Sequence, residues 1–181
     1  MTVVLACPAF RHPRPWGHEG RCIGQTDLAL DPRKARRLAR RIRRLAGREG
    51  WPLVVCTSPL RRCRDVGRCL KRWGWQHVAD ARLLEMHFGA WDGKPWSHIP
   101  HAEVDAWVAD FAHHAPGGGE RLVDVLARAQ AWEPPVPGAV LVAHAGWMLS
   151  RQWVMTHGPG ELPVSEQWPR PLGYGQQLAL A

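Results

Sequence analysis

The chain has 181 residues, 45% of them hydrophobic, and a formal charge of +8 at neutral pH. That length buries a core without disulfide or metal staples, and the apolar content excludes global disorder. No run of 18 apolar residues occurs, so no transmembrane helix is expected. The opening Met1-Thr2-Val3-Val4-Leu5-Ala6 has no basic leader segment and reads as part of a strand, so the expected compartment is the cytoplasm. Five cysteines (Cys7, Cys22, Cys56, Cys63, Cys69) show no zinc spacing and read as reduced, mostly buried thiols. The basic balance attracts anions in general, without choosing among metabolites, nucleic acid and acidic membranes. Eleven tryptophans are scattered from Trp16 to Trp168 without a repeat.

A first strand is expected over residues 3–10, followed by a Pro- and Gly-rich loop. Asp31-Pro32 is an N-cap followed by proline at the first helical position. The helix it opens runs to about Ala46, with Ala35, Leu38, Ala39, Ile42, Leu45 and Ala46 forming one apolar stripe. Its other face carries Arg33, Lys34, Arg36, Arg37, Arg40, Arg41, Arg43, Arg44 and Arg48. No helix-turn-helix, zinc-finger or aromatic RNA-binding signature accompanies it, so it reads as a solvated face. A second strand is expected over residues 52–57, and Ser58-Pro59 then caps a helix running to about Trp73. A third extended segment follows over residues 78–84. Helices are expected over 102–111 and 121–132, a strand over 139–143, a helix over 146–155 and an edge strand over 177–180.

Strands alternating with helices give an α/β class, a three-layer α/β/α sandwich around a mostly parallel sheet. One domain is expected over residues 1–181, with a short lid region around 92–120. Ligands of such sheets sit at the carboxyl ends of the strands. Arg11-His12, Ser58-Pro59 and His144 all fall at that end. A neutral imidazole beside cationic groups is suited to attack a phosphoryl group while the cations hold its oxygens. The pairs His98/His101 and His113/His114 lack a completing ligand set, and no metal site is expected.

These segments, in this order, resemble the histidine phosphatase superfamily, the phosphoglycerate-mutase-like proteins. The resemblance spans residue 3 to about residue 154. It rests on Arg11-His12-Pro13, Gly24-Gln25-Thr26-Asp27-Leu28-Ala29-Leu30, Ser58-Pro59-Leu60-Arg61-Arg62, the segment from Leu83 through Glu85 to Gly93, Gly118-Gly119-Glu120-Arg121, and His144-Ala145-Gly146. It implies that His12 is the nucleophile that becomes phosphohistidine. Arg11 and Arg62 grip phosphate oxygens, His144 stabilises charge on them, and Glu85 exchanges a proton with the leaving alcohol and then with water. Gly24 and Gln25 are expected to line the substrate site. No cofactor is implied. Two departures stand out: the usual glycine after the nucleophile is Pro13, which has no N–H to offer, and Arg121 replaces the usual serine.

The string Arg11-His12-Pro13-Arg14-Pro15 with Gly24–Leu28 is similar to the α-ribazole phosphatase-like branch. The expected activity is hydrolysis of a small phosphorylated metabolite, α-ribazole phosphate among them. The alternatives are a phosphoglycerate mutase and a catalytically weak relative that binds phosphate ligands or nucleic acid. The short segment between Trp91 and His144 favours hydrolysis over mutase chemistry. Expected partners are a small phosphorylated substrate, with no specific nucleic acid and no membrane. Either a monomer or a homodimer is compatible with the sequence.

Overall fold

The computed structural model describes residues 7–180. Its strands are β1 (Cys7–Arg11), β2 (Val54–Thr57), β3 (Gln76–Ala79), β4 (Val140–Ala143) and β5 (Gln177–Leu180). Its helices are α1 (Pro32–Glu49), α2 (Arg61–Lys71), α3 (His101–Ala109), α4 (Leu122–Gln130) and α5 (Ala145–His157). The strands form one sheet in the order β3-β2-β4-β1-β5. The first four run parallel, and β5 pairs antiparallel with β1 at the edge. The class is α/β, as expected.

The central strand β4 is Val-Leu-Val-Ala and is buried on both faces, the pattern of a strand covered by helices on each side. Alternate residues divide the core. Phe10, Val55, Val140 and Val142 face the stripe of α1 and the inner residues Cys63, Val66 and Leu70 of α2. Ala9, Cys56, Leu141 and Ala143 face the opposite layer, where Ala129 of α4, Trp132 just beyond it, and Trp147 and Met148 of α5 pack. A third cluster joins Leu122, Val125, Trp153 and Val154 with Phe88, Phe111 and Trp168.

The expected stripe of α1 is inside, with Leu45 half-buried at its margin, and its arginines are exposed. Asp31 caps the helix by accepting from the Arg33 amide at 2.8 Å. The helix runs three residues past Ala46 and stops at Gly50, whose φ of 69° suits glycine. The expected cap of α2 at Ser58-Pro59 is corrected. The helix begins at Arg61, and its first amide donates to Asp27 Oδ1 at 2.6 Å. Asp27 reaches across from another loop, while Ser58, buried at the end of β2, accepts from the Leu60 amide at 3.3 Å. The third extended segment is also shorter than expected. The strand ends at Ala79, and a single tight turn, Ala81–Leu83, follows a cap by Asp80. Residues 3–6 of the expected first strand lie outside the described residues. Among the described residues, no helix is long and apolar enough to cross a membrane.

Candidate active site

Parallel register brings three strand ends together. Arg11 pairs with Ala143, and Thr57 pairs with Val142. The next residues, His12, Ser58 and His144, therefore leave the sheet side by side. The amide of His12 donates to Ala143 O at 3.0 Å, and that of Ser58 to Val142 O at 3.3 Å.

His12 and His144 are both buried, with ring centroids 5.1 Å apart. Nδ1 of His12 lies 2.7 Å from the carbonyl oxygen of Pro13, which can only accept. The ring proton is thus fixed on Nδ1, and Nε2 keeps its lone pair. Pro13 offers no amide to a ligand, but its carbonyl selects the tautomer. Arg62 is buried beside the pair and donates from Nε to His144 Nδ1 at 3.3 Å. Burial, reinforced by the Arg62 charge, holds both imidazoles well below the usual histidine range. Both rings are neutral at pH 7. Cys63 packs against the His144 ring, with Sγ 3.5 Å from Nε2.

The Gly24–Thr26 loop holds Arg62. Its two terminal nitrogens donate to Thr26 O at 2.7 Å and Gly24 O at 2.5 Å. The loop is in turn held by Asp92. That carboxylate accepts from the amides of Gly24, Gln25 and Thr26 and from Thr26 Oγ1 at 2.6 Å. Burial acts to raise the Asp92 carboxyl, but these hydrogen bonds outweigh it and hold the group below its ordinary value. Gly24 has to be glycine, since a Cβ there would meet Met86 O, Phe88 and Asp92. Gln25 donates from Nε2 to the Glu85 carbonyl at 3.0 Å. Gly24 and Gln25 therefore join the two halves of the site, with their amides committed to Asp92.

Glu85 reaches the N-terminus of α5. Its carboxylate accepts from the amides of Gly146 at 3.0 Å, Trp147 at 3.1 Å and Met86 at 3.0 Å. A helix N-terminus with free amides is a favourable place for an anion. A side chain at Gly146 would collide with that carboxylate, so His144-Ala145-Gly146 carries its glycine to admit Glu85. The segment around Glu85 is clamped by Arg128, which forks onto Glu120 at 2.8 and 3.0 Å and donates to Leu84 O at 2.6 Å.

Arg11 emerges from β1 toward the C-terminal segment. It donates to Leu172 O, and its guanidinium lies 4.0 Å from the centre of the Tyr174 ring. Its Nε is buried without a partner among the described residues. Tyr174, the chain's one tyrosine, was not among the expected site residues. It lies 5.5 Å from the His12 ring and 5.2 Å from that of His18, a second residue not expected there. The antiparallel return of β5 seats it: the amide of Gly175 donates to Arg11 O at 3.0 Å. The only sequence signal was a lone tyrosine between two glycines ahead of the edge strand.

A cavity of about 450 Å³ opens beside these groups, with Arg11, His18, Glu85 and Tyr174 at one end. Among the described residues, no cluster of three or more His, Cys, Asp or Glu side chains is placed to hold a metal ion.

A buried histidine pair with a guanidinium bound to it thus stands at the carboxyl edge of a parallel sheet, and the fold and family are those of a phosphatase. The chain belongs to the histidine phosphatase superfamily (branch 1), which it matches over residues 10–157. A search of curated proteins gives no match. Among solved structures it is similar to a mycobacterial glucosyl-3-phosphoglycerate phosphatase in complex with VO3. The two are 29% identical with a TM-score of 0.76, over 98% of this chain and 91% of that one. It also shares its fold with the alpha-ribazole phosphatase from Shigella flexneri, at 20% identity and a TM-score of 0.74, over 97% and 89% of the two chains.

Proposed function

We propose that this enzyme is a metal-independent phosphomonoesterase that works through a phosphohistidine on His12. The observation that carries this reading is the Pro13 carbonyl on His12 Nδ1, which leaves a neutral imidazole with its Nε2 lone pair available. In the first step the Nε2–P bond forms and the bond from phosphorus to the alcohol oxygen breaks. Glu85 supplies the proton that the departing alkoxide needs. In the second step water attacks phosphorus, the Nε2–P bond breaks, and Glu85 takes the water's proton. Arg62, His144 and Arg11 carry the positive charge and hydrogen-bond donors that stabilise the phosphoryl oxygens. Arg62 has two N–H bonds left after its three protein partners, enough to reach one phosphate edge.

Hydrolysis is favoured over mutase chemistry. A mutase holds a second phosphate, whereas the cavity beyond the histidines is walled mainly by apolar and aromatic side chains. The residue 92–120 region acts as a short lid over that cavity. Alpha-ribazole phosphate and glucosyl-3-phosphoglycerate, the substrates of the two similar enzymes, are the natural candidates for a first comparison.

The reading is tested with para-nitrophenyl phosphate in EDTA. The expected result is turnover together with an acid-labile, alkali-stable phosphoenzyme, both abolished in His12→Ala. Turnover of His12→Ala at the wild-type rate overturns the assignment.

A further inference from the structure

The cavity has two chemically distinct ends. One holds Arg11, His18, Glu85 and Tyr174, the last 5.5 Å from the His12 ring. The other is built from Phe88, Trp96, Trp107, Phe111 and Trp168, with Ile23 and Met86 extending the wall. The aromatic rings pack on one another in series. Phe88 and Trp107 meet edge-on at 5.9 Å, as do Phe111 and Trp168 at 5.7 Å, and Trp107 and Phe111 lie tilted at 5.5 Å. They come from separate parts of the chain, and three of the eleven scattered tryptophans meet at this wall.

Two polar side chains on this wall each spend a hydrogen bond on the backbone. Arg21 donates to Gly93 O at 2.8 Å, and Ser150 Oγ donates to Gly146 O at 2.9 Å. The Trp107 indole N–H is buried and has no acceptor among the described residues. A substrate rich in hydroxyl or carboxylate groups would lose its water here and find few partners, at a cost of roughly 1–3 kcal/mol for each unmatched group. A flat apolar group would instead displace water from a surface that matches it. The volume of about 450 Å³ is in the range of pockets that enclose a ring system.

We infer that the alcohol half of the substrate is a bulky, mainly apolar ring system bound against Phe88, Trp96, Trp107, Phe111 and Trp168. This rests on the phosphatase reading above. The substrate class is a phosphomonoester of an aryl-bearing or fused-ring alcohol rather than of a small polyhydroxylated acid. A single acceptor on the ring system would satisfy the Trp107 N–H.

The test compares 2-phenylethyl phosphate with glycerol 3-phosphate and 3-phosphoglycerate. All three are primary alkyl esters, so the leaving groups are alike and the difference reports binding of the alcohol. The expected kcat/KM favours the phenylethyl ester by about 10²-fold. Equal or better turnover of either polar ester, with His12→Ala inactive on it, overturns the inference and leaves the phosphatase reading standing. Trp96→Ala and Trp107→Ala should each lower the ratio of phenylethyl to glycerol ester by about tenfold. Trp96 is 41% exposed, so its truncation should not disturb folding. An unchanged ratio in folded Trp96→Ala and Trp107→Ala also overturns it. If no ester is turned over, the phosphatase reading falls, and calorimetry still decides the cavity. There, 2-phenylethylphosphonate should bind at least about tenfold tighter than methylphosphonate. Equal affinity, or no binding of the phenylethyl compound, overturns the inference.

Discussion

Arg62 Nε donates to Nδ1 of His144 at 3.3 Å, both side chains lying out of solvent. The bond makes Nδ1 an acceptor and so places the His144 proton on Nε2. The two buried histidines thus carry opposite tautomers, His12 protonated on Nδ1 and His144 on Nε2. One keeps a lone pair and the other offers a donor. The same guanidinium touches Gly24 O and Thr26 O, so its orientation is fixed by the protein itself.

Arg62→Lys is therefore not conservative. An ammonium cannot serve His144, Gly24 and Thr26 in one plane and still reach a phosphate. The expected loss in kcat/KM for para-nitrophenyl phosphate is about 10²–10³-fold, with vanadate inhibition weakened in parallel. Retention of both within a factor of three would show that the fork is dispensable.

Asp92 acts through Arg62. Its carboxylate accepts four hydrogen bonds from Gly24, Gln25 and Thr26 and touches none of the histidines. Asp92→Asn replaces one acceptor oxygen with a donor that opposes those amides. Stability should fall by about 2–3 kcal/mol in urea denaturation. Turnover should fall about tenfold or more even in the fraction that remains folded, since the loop that aims Arg62 loosens. Full kcat in a destabilised Asp92→Asn protein would confine Asp92 to a structural role.

Acid should weaken the fold through the buried histidine pair. Burial, with Arg62 adding to it, depresses His12 and His144 in the native state well below 6.5, near which both titrate once unfolded. Below pH 6.5 the unfolded chain binds protons that the native chain refuses, so stability falls as pH falls. Each such group contributes up to about 1.4 kcal/mol per pH unit, and the contribution is complete above pH 6.5. Urea midpoints at pH 7.5, 6.0 and 5.0 should decline in that order. A midpoint that is flat or rising toward pH 5 would mean that the two rings are protonated in the native state.

The layers and the strand-end convergence were readable because they depend on local patterns. The 3–4 spacing of α1 and the apolar runs of β1, β2 and β4 are each decided within ten or so residues. Contacts set by tertiary placement were not readable. Ser58 carries the right side chain for a cap, yet Asp27 from a distant loop supplies it. Tyr174 reaches His12 only because β5 returns antiparallel along β1, which no short-range signal encodes. Asp92 stood within a quoted motif, but its ties to residues 24–26 cross more than sixty positions. The basic face of α1 is exposed along its length, and two of its guanidinium groups cover Phe10 and Trp73.

Glu85 is the residue whose role is most open to dissection. Its carboxylate is fixed by the amides of Gly146 and Trp147, in the first turn of the helix that begins just after His144. An alkoxide leaves phosphorus poorly and needs a proton as the bond breaks, whereas a nitrophenolate leaves without one. Glu85→Gln keeps the size but cannot supply that proton. Its amide nitrogen would also face a backbone N–H of α5, so a loss of about 1 kcal/mol in stability is expected beside the kinetic effect. Two aromatic esters isolate the chemistry from any preference of the cavity. The rate of His12 phosphorylation from 2-phenylethyl phosphate should fall about 10²–10⁴-fold in Glu85→Gln. With para-nitrophenyl phosphate that step should fall less than about tenfold. Dephosphorylation should then become the slow step, because water has lost its base, and a burst of nitrophenolate should precede a slow steady state. An equal fall in the first step for both esters, with no burst, would show that Glu85 only holds the turn before α5, and the proton would have to come from His144 or from water.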